Sequence, residues 1–425
     1  MLAQTLPFDP ANPAPTLGAL PEVPGVFALF GADPKAEPYL ARTTNLRRRF
    51  KRFLDAKPTQ TKRLRLTERV VRIEYTATGS DFESSLVLYN ATNQIFGERA
   101  RKRLRLHAPY FLRMTIKNRY PRVYVTNTLT KAAAENLYGP FPSRVAAERF
   151  CDESLNLFLL RRCYPDLDPD PAFPGCVYSE MKMCLAPCFK GCTDERYAEE
   201  AAKVAAFLAT RGQSQLDELA TERDAASEAL DFEKAAAIHA RIQKVEAVAA
   251  LASEAVQPLA ALRAIIIQAS PEPGHVALFR LESGIVTGPA LYDTLGMRLH
   301  NEQSGSSSLY THPYALEPVP LQEGPQPSTS DQEVVATKIK QAAETPRDVL
   351  EQRLSEAMTS LSQKKPRASN QVLADHLSLF KRWYYRPEAK RIGEVIFHPA
   401  DQPLPSKQIL RAISRVFREK VMAAS

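Results

Sequence analysis

Five of the chain's six cysteines fall in one short stretch, at Cys163, Cys176, Cys184, Cys188 and Cys192. Thiols gathered this tightly, in a chain that shows no export signal, point to a bound metal or cluster rather than to disulfides. Zinc sites usually present two close cysteine pairs, and here only Cys184 and Cys188 look like one. Four thiolates spread over one compact lobe also suit an iron–sulfur cluster, whose irons need deprotonated sulfur. Free buried cysteines are the plainer alternative, and spacing alone leaves it open.

A chain of 425 residues predicts two or three domains around this knot. Its net charge of +8 is unevenly placed. Between Tyr39 and Leu106 there are 17 Lys and Arg against 6 Asp and Glu, a larger surplus than that of the whole chain. A basic module suits a polyanion, nucleic acid above all, although a solvated charged face would look the same. No stretch approaches the roughly 20 apolar residues of a membrane span, and no N-terminal apolar leader is visible. The expectation is a soluble, cytoplasmic protein with no membrane partner.

Residues 1–21 are rich in proline and read as a poorly ordered lead-in. Val26–Phe30 and Pro38–Ala41 then read as short strands, followed by a helix over Leu46–Leu54 capped by Asn45. On that helix Leu46, Phe50, Phe53 and Leu54 share one side and the arginines the other. A third strand, Val70–Tyr75, leads into a helix expected to run from Asp81 to Arg105. Arg47, Arg48, Arg52, Arg101, Lys102 and Arg103 are the candidate DNA contacts. Residues 100–120 interleave cations with aromatics, which suits backbone contact plus packing on bases. A helix over Ser143–Arg162 would deliver Cys163 to the knot, with Cys151 on it as a structural residue. Overall the pattern is α/β (α+β): a small sheet with helices to 106, a cysteine region to 192, a helical region to 256, and a C-terminal α+β module over 257–425. Within that module, 303–332 reads as a flexible excursion.

The runs PGVFALF and YLARTTNLRRRF, then YGPFPS at 138–143 and CLAPC at 184–188, resemble UvrC, whose N-terminus carries a GIY-YIG nuclease domain. The resemblance covers residues 22–250 and implies a metal-dependent phosphodiesterase: a tyrosine that helps activate water, an arginine on the phosphate and a helix glutamate on Mg²⁺ or Mn²⁺. Tyr39 falls at the tyrosine, Arg42 at a basic loop position where the family has lysine, and Arg49 at the arginine. Phe27 replaces a tyrosine and loses its hydroxyl, and Leu88 falls where the glutamate should be. Glu83 lies about 140° around the helix from that position, Asp81 roughly 10 Å along it, and Glu98 off the face. The nuclease site is therefore read as degenerate, able to grip DNA with its cutting ability in question.

The same resemblance implies a [4Fe–4S] cluster on Cys163, Cys176, Cys184 and Cys188, with Cys192 spare. It further implies a UVR motif at 229–242, in which Leu230, Phe232, Ala236, Ile238 and Ile242 would dock a UvrB-like helicase subunit. Physically, an apolar stripe rimmed with charge on a short helix pair calls for a partner pair, although packing on its own protein would explain the stripe equally well. The family's second nuclease and helix-hairpin-helix units are not evident after residue 257. Three readings follow: a repair nuclease that binds damaged duplex and the UvrB-like subunit and makes one incision with its N-terminal domain, a non-catalytic regulator with the same partners, or an iron–sulfur redox-responsive DNA-binding protein.

Overall fold

The computed structural model describes residues 2–33, 35–54, 69–130, 136–164, 166–299, 309–310, 347–363, 369–399 and 401–424. The chain opens with strand β1 (Gln4–Pro7), helix α1 (Ala14–Ala19), β2 (Gly25–Gly31), β3 (Tyr39–Thr43), α2 (Leu46–Leu54) and β4 (Val70–Ala77). They form an antiparallel sheet of order β1-β4-β2-β3. The lead-in expected over 1–21 is thus corrected: Leu6 pairs with Ile73, and Leu2, Phe8, Leu17 and Leu20 are buried. Its prolines are compatible because β1 is an edge strand, where Pro7 ends the pairing without removing an inner ladder bond. Alternation then divides β2: Phe27 and Leu29 pack under α2, while Val26 and Ala28 face the next helix.

That helix, α3 (Asp81–Phe96), is N-capped by Ser80, whose hydroxyl accepts from the Glu83 amide at 3.1 Å; Glu83 reaches back to the Gly79 amide at 2.7 Å. The expected continuation to Arg105 is interrupted. Gly97 takes φ +54°, which glycine tolerates, and a tight turn precedes the short helix α4 (Ala100–Leu104).

A second lobe is built on β5 (Tyr110–Met114), β6 (Val123–Thr126), β7 (Leu137–Phe141) and helix α5 (Arg144–Leu155), followed by α6 (Asp194–Thr210), α7 (Gln213–Glu228) and α8 (Phe232–Ala249). Strand β8 (Gln257–Pro258) closes the sheet against β7. One core joins Leu112, Phe150 and Phe207 to Ile238 and Val256, so the cysteine region and the helical region share an interior. Two expectations change here. The aromatics of 100–120 do not lie open for bases: Phe111 and Tyr120 are buried. Helix α5 stops at Leu155 in a turn, and Phe158 and Leu160 reach the core from beyond it, with Phe158 edge-on to Phe207 at 5.4 Å. Val145, an apolar residue in the first turn of α5, is 72% exposed.

The third lobe is a meander, β9 (Arg263–Ala269), β10 (His275–Glu282) and β11 (Ile285–Asp293), with helices α9 (Arg347–Gln363) and α10 (Asn370–Tyr384), β12 (Glu394–Phe397) and α11 (Ser406–Ala424). Strand β12 adds antiparallel to β9, giving the order β11-β10-β9-β12. Strict alternation along β9 sends Ile265 and Ile267 to α9 and α11, and Ala264 and Ile266 to α10. The excursion expected at 303–332 falls outside the described residues except for 309–310.

Lobes one and three are fused through α3. Phe82 meets Phe279 and Trp383 at ring separations of 5.3 and 5.1 Å, and the hydroxyl of Tyr89 donates to the buried Asp375 at 3.3 Å. Arg382 donates to the carbonyls of Leu104 and Arg105, and Tyr385 donates to the Pro140 carbonyl at 2.7 Å. The run Lys381–Arg386 is a junction between all three lobes.

Candidate phosphate, thiol and docking sites

The degenerate phosphodiesterase residues do not assemble on one side of the first sheet. Tyr39, 43% exposed, stacks edge-on to Phe53 at 6.0 Å and lies 6.1 Å from the Phe27 ring. Arg49 lies over the same Phe53 ring, 3.9 Å from its centre, and its buried Nε has no hydrogen-bond partner. A guanidinium held by a ring, with no ion-pair partner among the described residues, is open to an incoming anion. These three residues share the α2 face.

Arg42 and Leu88 belong to the opposite face. Arg42 is ion-paired to Asp81 and donates to the Ser85 hydroxyl at 2.9 Å. Leu88 is half-buried in an apolar patch with Val26, Ala28, Leu40 and Ala91. The candidate replacement acids are also spoken for. Asp81 is clasped by Arg42 and, at 2.5 Å, by Arg386 from beyond α10. The Glu83 carboxyl is buried, and burial pushes it up to about 7. Glu98 sits in a basic cleft at α4. Among the described residues, no three His, Cys, Asp or Glu side chains converge on a point that could hold one metal ion. A hard dication needs several oxygens at 2.0–2.6 Å. The described residues do not fit Mg²⁺ or Mn²⁺.

The candidate DNA-binding arginines split as well. Arg47 is structural: it donates to the Leu20 carbonyl at 2.6 Å and pairs with Glu22 at 2.8 Å, fastening α1. Arg101 pairs with Asp375 at 3.4 Å, and Arg103 with Glu37 while lying over Phe96. Arg48, Arg52 and Lys102 are exposed without an ion-pair partner among the described residues.

The cysteines are better gathered. All six are free. The Cys184 thiol is pushed up to about 11, first by burial and then by the nearby Cys163, Cys188 and Cys176, against an opposing amide hydrogen bond from Ala186. Cys188 is raised by burial and likewise feels Cys176 and Cys163. Cys192 feels only Cys188 among them, and Cys151, far inside the lobe, is pushed up to about 12 by burial. Left-handed turns at Lys182, Ala186 and Lys190 wrap the chain so that the Ala186 amide meets the Cys184 sulfur at 3.3 Å. Buried Arg161 anchors the approach, donating to the Tyr120 carbonyl at 3.0 Å and to the Cys163 sulfur at 3.5 Å. Sequence reading missed Arg161 because α5 was expected to run through it. A single zinc ion would draw four sulfurs to about 2.3 Å from one point. Thiols that neighbour one another in this way offer the donor type that an iron–sulfur cluster takes.

In the α7–α8 hairpin, Ile238 and Ile242 are buried in the second lobe's core, which corrects their assignment to a partner-facing stripe. Helical period explains the split: they fall on the side that faces α7. Leu230 and Phe232 at the turn are 72% and 68% exposed, and Ala236, one turn on, is also exposed.

Residues 110–207 match the family model of the UvrC/Cho excinuclease middle domain, and residues 213–248 that of the UvrB/uvrC motif. The UvrABC system protein C of Aromatoleum aromaticum is 29% identical over 247 residues, 58% of this chain and 40% of that protein. Those of Symbiobacterium thermophilum and Brucella suis are 31% and 30% identical over 55% and 52% of this chain, and 36% of each relative. The chain thus spans about two fifths of the length of the curated relatives it matches. No solved structure matches it.

Proposed function

We propose, for a chain that is UvrC-like through its middle domain and paired-helix motif, a role in nucleotide-excision repair as a DNA- and partner-binding protein rather than a nuclease. The observation that carries it is the hairpin. Its inner face is filled by its own lobe, yet Leu230, Phe232 and Ala236 stand in solvent at the tip. A UvrB-like subunit presenting a matching apolar hairpin would cover them. Arg49, over its ring and without an ion-pair partner among the described residues, with exposed Arg48 and Arg52 on the same helix, supplies the grip on damaged duplex. Incision has no support in the acids, because Leu88 is apolar and Asp81 is held by two arginines.

Exchanging both Leu230 and Phe232 for aspartate tests this. Binding to the UvrB-like subunit by calorimetry should weaken at least tenfold, about 1.4 kcal/mol, with helix content unchanged because neither side chain is buried. Unchanged affinity would remove the docking role. Wild-type protein on a damaged, end-labelled duplex with Mg²⁺ should leave the strand intact, and a cut lost in Arg49→Ala would overturn the non-catalytic reading.

Cys163, Cys176, Cys184 and Cys188 are the ligands of a [4Fe–4S] cluster in this reading. The group supplies a covalent tie across a lobe whose cysteine loop has little apolar core. Loading must remove protons from thiols such as Cys184, raised to about 11, so affinity for the cluster falls as pH falls. Cys184→Ser should reduce iron and acid-labile sulfide in anaerobically purified protein to near background, whereas Cys192→Ser should leave both unchanged.

A further inference from the structure

A cleft of about 850 Å³ opens beside α4, lined by Lys102, Arg105, His107 and Asn127 with Arg101 and Glu98 at its polar wall. Its shape follows from the chain's turn. Arg105 ends α4 at φ +50°, in the left-handed region, with its amide returning to the carbonyls of Arg101 and Lys102. That turn throws residues 106–108 back alongside the helix; Leu106 is buried beneath and Lys102, Arg105 and His107 are left outward and exposed. The cations of this segment divide by partner. Arg99 and Arg103 are matched by Glu37, and Arg101 by Asp375. Lys102 and Arg105 have no ion-pair partner among the described residues, and both line the cleft. One carboxylate, Glu98, opposes them.

We infer that this cleft is a second nucleic-acid contact, one that takes the phosphodiester backbone of a strand at a distance from Tyr39 and Arg49. Cations without an ion-pair partner among the described residues, set around an open trough, suit phosphates in series better than a small ligand, which would be largely enclosed. Asn127 adds an amide donor for a phosphate or sugar oxygen. The trough is fixed rather than floppy: α4 is tied through Glu37 to the loop entering β3, and through Arg101 and Arg382 to the third lobe. A strand held there is therefore registered against the sheet that carries Tyr39. The inference rests on the DNA-binding reading above and extends it to a site beyond the C-terminal end of α3.

Salt-dependent binding of the full-length protein to a fluorescent duplex, and separately to a single strand, tests it. In the double variant Lys102→Gln, Arg105→Gln, two phosphate contacts go. The slope of log affinity against log salt should fall by about 1.8 on duplex or about 1.4 on single strand, with binding about tenfold weaker near physiological salt. Which slope changes identifies the form of nucleic acid held. An Arg241→Gln, Lys244→Gln variant, with the same charge removed from the exposed side of α8, should keep the wild-type slope. Equal slopes in wild type and the cleft variant, or an equal fall in the α8 control, would overturn the cleft while leaving the proposed function intact. Wild-type protein that binds neither probe would overturn both.

Discussion

Phe82→Ala should cost about 3–5 kcal/mol, the range for truncating a fully buried aromatic, and lower the melting temperature by on the order of 10 °C. Phe82 is 1% exposed and is wedged between Phe279 of β10 and Trp383 of α10. Those partners belong to the third lobe, whereas Phe82 belongs by sequence to the helix that covers the first sheet. The cavity would therefore open at the seam between lobes rather than inside either one. Neighbouring ties fail to compensate: Asp375 is a buried carboxylate that takes its charge match from Arg101 and its hydrogen bonds from Tyr89 and Gln371, so it holds its partners rather than the ring. Limited proteolysis should then cleave the variant near residues 257–263 far faster than the wild type. An unshifted melting temperature with unchanged proteolysis would mean that the lobes fold as independent units.

That seam was the part least legible in the sequence. Helix α2 was readable to the residue because Leu46, Phe50 and Leu54 recur at helical spacing and bury one side against β2. The meander β9-β10-β11 was readable because its apolar runs are bounded by Pro and Gly turns. Helix α3 shows a different problem. It is apolar on two sides, with Leu88 and Ala91 toward the first sheet and Phe82, Leu86 and Tyr89 toward the third lobe. Periodicity reports that both sides are buried without saying against what. The same ambiguity misplaced the candidate site. Motif spacing brought Tyr39, Arg42, Arg49 and Leu88 together on paper, yet Arg42 leaves the sheet on the α3 face while Tyr39 and Phe27 lie on the α2 face. Strand alternation contained that information, since 39 and 42 differ by an odd number. The pairing of Asp81 with Arg386 was beyond reach, being a contact across some three hundred residues. The exposed pair at 230 and 232 was legible only as part of a stripe. Which members face inward depended on the α7 packing that no local pattern records.

Glu83→Gln should stabilise the protein above pH 7 by about 3 kcal/mol and leave it unchanged below about pH 4.5. The Glu83 carboxyl is 5% exposed, and burial, helped by Glu272 across the seam and opposed by the Gly79 hydrogen bond, raises it from 4.5 to about 7. Because the folded value lies above the unfolded one, the folded state holds the proton more tightly. Ionising it costs stability progressively as pH rises from 4.5 to 7, and the cost is complete beyond that. Glutamine keeps a carbonyl oxygen for the Gly79 amide, so the cap of α3 survives. His376 acts in the opposite sense. Its Nδ1 accepts from the Val286 amide at 3.1 Å, and burial depresses it from 6.5 to about 4. Its contribution is whole above pH 6.5 and is lost as pH falls toward 4. Between 4.5 and 6.5 the two groups oppose each other with nearly equal slopes, so wild-type stability from this pair is close to flat there. Removing the acid alone should expose the histidine: denaturant midpoints of the variant should climb steadily from pH 4 to 6.5 and then level off. A difference between variant and wild type that does not grow across pH 4.5 to 7 would show that Glu83 ionises at an ordinary value and that water reaches it at the seam.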